Sequence, residues 1–163
     1  MIGLEPDLAA IAALPAGRRV LGFDLGTKTI GLAVSDVGRQ IATPLETIAR
    51  GKFSVDLERI RRHVEHLGIG AFVLGLPVNM DGSEGPRAQA TRAFARNLGR
   101  ALPMPAAFWD ERLSSAAVNR ALIAADTSRA KRAEIVDRAA AAYILQGALD
   151  RLRHAANGLI SVE

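Results

Sequence analysis

Three acidic positions in this 163-residue chain stand where a carboxylate is locally unwelcome. Asp24 lies inside the apolar run Val20–Leu25, with Phe23 and Leu25 beside it. Asp110 and Glu111 close the run Pro105–Trp109 and are followed at once by Arg112. Asp137 has Ala133, Ala140, Ala141 and Ile144 as its neighbours at helical spacing, so it should face protein rather than water. A carboxylate in such a setting is costly unless it is paired, solvated at a strand end, or bound to a cation. Oxygen donors converging from two strands and a helix, with no cysteine in the chain and no histidine close by, suit a hard cation such as Mg²⁺ or Mn²⁺. The chemistry that follows is metal-assisted hydrolysis of a phosphodiester, with water activated on one side and the leaving oxygen stabilised on the other. Each acid also has a structural alternative. Asp24 would cap the turn that follows it, Glu111 would pair with Arg112, and Asp137 would pair with Arg138 or Lys131.

The elements that must position these acids are legible as patterns. Val20–Leu25 and Thr29–Ser35 flank a tight Gly26-Thr27-Lys28 connection, which predicts a hairpin. Gln40–Ile48 reads as a third strand, with Pro44 marking it as an edge. Ser54 is the expected cap of a helix striped by Leu57, Ile60, Val64 and Leu67 and ended by Gly68. His63 and His66 on that helix have no partner ligands at metal spacing and are read as surface residues.

Ala71–Leu76 is wholly apolar, as a strand buried on both faces should be. A glycine- and proline-punctuated loop follows and ends at Pro86, the expected start of a helix to Arg100 that turns Phe94 and Leu98 inward. Arg92, Arg96 and Arg100 line one face of that helix, as a solvated stripe or a phosphate track. After the strand Pro105–Trp109, Ser114 or Ser115 would cap a helix to about Ala124. Asp126–Arg132 reads as a polar loop, and a last helix runs from about Ala133 to His154, with Asn157-Gly158 as its stop. Antiparallel pairing first and alternation afterwards predicts an α/β fold: a mixed five-stranded sheet, three antiparallel strands first and then parallel ones, flanked by helices.

Composition bounds the rest. Apolar residues are 49% and charged residues 23%, normal for one globular domain of this length. No apolar run approaches the roughly 18 residues of a membrane span. Glu5 and Asp7 make the start a poor signal peptide, so a cytoplasmic setting without a membrane partner is expected. Residues 1–16, with Leu4, Leu8 and Ile11 at helical spacing, are read as an N-terminal extension outside the core, and 17–163 as the functional domain. The formal charge is +4, and only Lys28, Lys52 and Lys131 of the 21 basic residues are not arginine. Arginine matches phosphate geometry, so nucleic acid is a natural partner.

Taken together and in this order, GFDLGTKTIGLAVSD, LGLPVNMDGSEG, FWDERLSS and DRAAAAYILQGALD resemble the YqgF (RuvX) family over roughly Arg18 to Leu152. Its members are described as pre-16S rRNA nucleases and as Holliday junction resolvases with a ribonuclease H-like fold. The resemblance implies that Asp24, Glu111 and Asp137 are the catalytic, metal-binding acids, with Asp110 supporting the metal shell. It implies Lys28, Arg112 and Asn79 as substrate contacts, and Gly75, Pro77, Asn79 and Gly82 as the loop beside the cleft. The implied role is processing of the 5′ end of pre-16S rRNA. Cleavage of branched DNA, which calls for a two-fold dimer, and a non-catalytic RNA-binding module are the rivals. An actin-like ATPase, which the Gly26-Thr27-Lys28 turn also fits, lacks room for its second lobe.

Overall fold

A computed structural model describes residues 6–113 and 129–161, with side chains described for 7–113 and 139–157. Its elements are α1 (Pro6–Ala12), β1 (Arg19–Leu25), β2 (Thr29–Ser35), β3 (Ala42–Ala49), α2 (Phe53–Leu67), β4 (Ile69–Leu76), α3 (Pro86–Ala101), β5 (Ala106–Asp110), a 3₁₀ turn (Glu111–Leu113) and α4 (Arg129–Ser161). The helix expected after Ser114 lies outside the described residues, as does the start of the polar loop expected at Asp126–Arg132.

The five strands form one sheet in the order β3-β2-β1-β4-β5. β1, β2 and β3 pair antiparallel in sequence, while β4 pairs parallel with β1 and β5 parallel with β4. The predicted mixed sheet is therefore present. β3 is one of the two edge strands, and the register with β2 shifts between Leu32 and Ala33, where Pro44 pairs. A proline that cannot donate to a ladder belongs at such a place.

Alternation along the strands sorts the core into two layers. Leu21, Phe23, Phe72 and Leu74 face α2 and α3, where Phe23 meets Phe72 edge-on at 5.4 Å and Phe94 packs against Phe53 at 5.6 Å. Val20, Ala33, Ala71, Val73, Ala107 and Trp109 face α4 and α1.

Five local expectations change. The chain start is not outside the core: Leu8 and Ile11 are buried against Val20, Ala148 and Leu149, because α4 leaves a gap over this end of the sheet that α1 fills. Ser54 does not cap α2, since Phe53 is drawn into the aromatic layer and the helix starts two residues earlier than that cap would give, with Lys52 before it. The capping contact is instead made from inside the first turn, where the buried Asp56 carboxylate accepts the Gly51 N–H. His63 is not simply a surface residue, because its Nε2 lies 2.7 Å from Glu46 and joins α2 to the edge strand. Arg129–Arg132 are already helical. At its far end α4 passes through Asn157 and Gly158 to Ser161, as weak helix formers cost only about 1 kcal/mol each and do not by themselves end a helix. Gly68 does end α2, in the left-handed conformation at φ 66°.

Candidate active site

The site is built at one edge of the sheet, where β1, β4 and β5 all finish. β1 delivers Asp24 on the same side as Val20 and Gly22, the side covered by α4. The next two residues lead into the Gly26–Lys28 turn, closed by Gly26 N–H donating to the Thr29 carbonyl at 2.8 Å. Asp24 is half-buried, opposite Gly31 of β2. β5 delivers Glu111 just past its last residue. A Cβ added at Gly75 of β4 would lie 2.9 Å from Glu111 Oε1 and 2.5 Å from Ile144 Cδ1 of α4. Glu111 therefore lies over the bare backbone of Gly75, beneath α4, on the side of the sheet that carries Asp24. Only glycine leaves that space.

The third acid comes from α4. This helix lies close because small residues meet across the contact: a Cβ on Gly22 would be 2.8 Å from Leu145 Cβ and 3.3 Å from the Ala141 carbonyl. Further along, Gln146 accepts the Ala42 N–H and donates to the Gln40 carbonyl, both at the opposite end of the sheet. Asp137 stands one helical turn on the other side of Ala141, so its backbone lies towards the edge that holds Asp24 and Glu111. Its side chain lies outside the described residues.

Asp110 behaves differently from Glu111, although the two are adjacent. It is on the opposite pleat, and its carboxylate is held by Arg112 through Nε at 3.1 Å and Nη2 at 2.6 Å. The Arg112 hydrogen bonds hold Asp110 below the usual carboxylate range and raise Arg112 in turn. Arg112 also donates to the Met80 carbonyl at 3.2 Å, which fastens the loop after β4 to the end of β5. Both residues expected at the metal shell or on phosphate thus brace the cleft.

The loop itself is a built turn. Asn79 and Ser83 are joined by backbone and side-chain hydrogen bonds of 2.9 and 3.0 Å, Asp81 accepts from the Ser83 N–H and hydroxyl, and Gly82 has φ 90°. Asn79 therefore holds its own loop while facing the cleft. Lys28 is exposed at the tip of the β1–β2 turn, four residues after Asp24. Arg92 is held by Glu84 at 2.5 and 2.8 Å and stacks on Phe108 at 4.8 Å.

One residue in the cleft carries no sequence signal. Arg87, in the first turn of α3, lines a recess of about 300 Å³ with Pro77, Asn79, Gly85 and Glu111. In the sequence it is only the residue after a helix-starting proline, and nothing short of the folded loop puts it on the same recess as Glu111.

Asp24 and Glu111 present carboxylate oxygens on one side of the sheet, and the space over Gly75 admits Glu111 towards its neighbours. That donor chemistry fits a hard divalent cation. Among the described residues no group of three His, Asp or Glu side chains converges, and the third acid of the expected set is Asp137.

A model of the RuvX family, described as Holliday junction resolvase, matches residues 18–151. The chain belongs to the RuvX family. A Rhodobacter capsulatus protein named "Putative pre-16S rRNA nuclease" is 64% identical over 143 residues, which cover 88% of this chain and 90% of that protein. A protein of the same name from Roseobacter denitrificans is 59% identical over 152 residues, covering 92% and 93%. Among solved structures, T. thermophilus RuvC in complex with a Holliday junction substrate superposes with a TM-score of 0.52 at 13% identity, covering 83% of this chain and 96% of that one. The yeast mitochondrial Holliday junction resolvase Ydc2 gives 0.50 at 14%, covering 96% and 90%. This RuvX-family chain therefore has the ribonuclease H-like fold its motifs imply.

Proposed function

We propose that this RuvX-family chain is a divalent-metal-dependent endonuclease that hydrolyses phosphodiester bonds and trims the 5′ end of pre-16S rRNA during cytoplasmic ribosome biogenesis. The observation that supports this reading most is the placement of Glu111 over Gly75 on the side of the sheet that carries Asp24, with the Asp137 backbone approaching the same edge. Residues 17–163 form the nuclease domain, and 1–16 are a segment N-terminal to it, whose helix α1 packs on the domain through Leu8 and Ile11.

In this reading Asp24, Glu111 and Asp137 hold Mg²⁺ or Mn²⁺. When bound, the metal supplies Lewis acidity at the phosphoryl oxygens and lowers the pKa of attacking water. The chain's own groups do the rest. The two strand acids orient the attacking water at the sheet edge. Lys28, exposed on the turn after Asp24, meets the substrate backbone. Asp110 and Arg112 keep Glu111 and the Pro77–Gly85 loop in register, and so raise the fraction of molecules in the productive geometry.

Branched DNA is the second reading, favoured by the family's description and by the likeness to RuvC. Cleavage of a 5′-extended 16S rRNA precursor and of a four-way DNA junction, with Mn²⁺, by wild type and Asp24→Asn, separates the two. Trimming of the RNA alone, abolished by Asp24→Asn, supports the ribosomal role. Symmetric cutting of the junction by a two-fold dimer replaces it with resolution. RNA binding with no cutting of either substrate reduces the chain to a binding module.

A further inference from the structure

Among the described residues most arginines near the cleft are committed. Arg50 donates to the Gly26 carbonyl at 2.7 Å, Arg92 is held by Glu84, and Arg112 by Asp110 and Met80. The acids of the loop are committed as well: Glu84 to Arg92, and Asp81 to Ser83. Arg87 is the exception. It is exposed, no carboxylate or carbonyl of the described residues engages its guanidinium, and it lines a recess whose far wall is Glu111.

We propose that this recess seats a phosphodiester group of the substrate next to the one being cut, with Arg87 as its counter-ion and the Asn79 loop as its floor. The proposal rests on the nuclease reading and adds to it a specific grip on the Glu111 side of the scissile bond. Three features carry it. The recess, at about 300 Å³, is the size of a small ligand pocket. Its cation has five donors, matches phosphate geometry, and has no side-chain partner among the described residues to give up on binding. Its floor is pre-formed, because the hydrogen bonds of the Asn79–Ser83 turn are in place without substrate. Glu111 shares the recess, so a phosphate seated there lies beside the acid proposed for catalysis. Lys28, on the turn after β1, supplies the matching cation on the Asp24 side. The strand would then be held on both sides of the bond at the acids.

The test uses the full chain carrying Asp24→Asn, which removes cutting while leaving the recess intact. Binding of a single-stranded RNA spanning the cleavage site is measured across a salt series, with and without Arg87→Ala. Arg62→Ala, on the outer side of α2, serves as control. Arg87→Ala should weaken binding about tenfold at low salt and reduce the slope of log K against log salt by about 0.7, one phosphate's worth on a single strand. Arg62→Ala should change neither. Methylphosphonate at one linkage at a time should then erase the difference between Arg87 and Arg87→Ala at a linkage adjacent to the scissile one and nowhere else. An unchanged salt slope, or coupling spread evenly over all linkages, overturns the proposal while leaving the nuclease reading standing. Failure of the Asp24→Asn chain to bind RNA at any salt overturns both. In the cutting-competent chain, Arg87→Ala should raise KM with kcat within about twofold, the mark of lost ground-state binding.

Discussion

The two faces of the sheet are packed on different principles. The face under α2 and α3 is filled by large side chains: Phe23, Phe72 and Phe94 interlock at ring distances of 5.4 and 6.1 Å, and Leu21, Leu74 and Leu98 close the gaps. The face under α4 is thin. Gly22 meets Leu145 and the Ala141 carbonyl, Gly75 meets Ile144, and Gly147 of the helix receives Trp109, so the helix comes close to the sheet wherever a glycine stands. Large interlocking side chains bury the most apolar area and carry stability. Small ones bury less but bring backbones close, and that is the face on which Asp24 and Glu111 lie. The thick face should therefore tolerate chemical change at the site, and the thin face should tolerate very little change in volume.

The sharpest way to break this contrast is Asp24→Asn. It should lower cleavage by about a thousandfold or more, the scale of losing a principal transition-state stabiliser, while the thermal midpoint moves by no more than a few degrees. Comparable losses of activity and stability would mean that Asp24 is a structural residue. Phe23→Ala should do the reverse. A fully buried phenylalanine removed from the thick face should cost about 3–5 kcal/mol in a denaturant titration. The molecules that remain folded should cut at nearly the wild-type rate.

Gly22→Ala and Gly75→Ala sharpen the comparison within the thin face. Both introduce a Cβ closer than 3.0 Å to α4 and should cost about 1–3 kcal/mol by overpacking. Gly75→Ala also meets Glu111 Oε1 at 2.9 Å, so its activity should fall much further than its stability, whereas Gly22→Ala should lose the two in proportion. Equal activity losses would dissociate Glu111 from the site.

The smallest effect belongs to the brace. The Arg112 hydrogen bonds hold Asp110 below the usual carboxylate range. A group whose folded pKa is depressed contributes stability that is complete above its ordinary pKa of about 4 and is lost as the pH falls through the lower folded value. Asp110→Asn should therefore cost no more than about 1 kcal/mol at neutral pH, and the difference from wild type should vanish in acid. A difference that persisted at the acid end would assign the effect to packing rather than to the ion pair.

Much of this architecture was legible in the residues. β2 has the predicted limits, β1 begins one residue early, and Pro44 marks the edge strand because its missing N–H can be tolerated only there. Asp24 and Glu111 were visible as acids that strands have no structural use for. The misreadings share one cause. Local signals ignore what a neighbouring element will bury. α1 seemed dispensable until α4 left space for Leu8 and Ile11, and the start of α2 was shifted by an aromatic contact to Phe94, some 40 residues further on.

By itself, then, the sequence determined the strand order of the hairpin, the alternation that follows it, and the identity of the acids. These depend on periodicity and on the cost of burying charge, which act within a few residues. Tertiary structure alone decided that Asp110 turns away to Arg112 while Glu111 lies over Gly75, and that Arg87 opens onto the same recess. Adjacent strand residues point to opposite faces, and a helix-start arginine looks like any other until a loop folds beside it. Which acid faces the cleft is set by pleat and by the close approach of α4, quantities that arise only when distant segments pack.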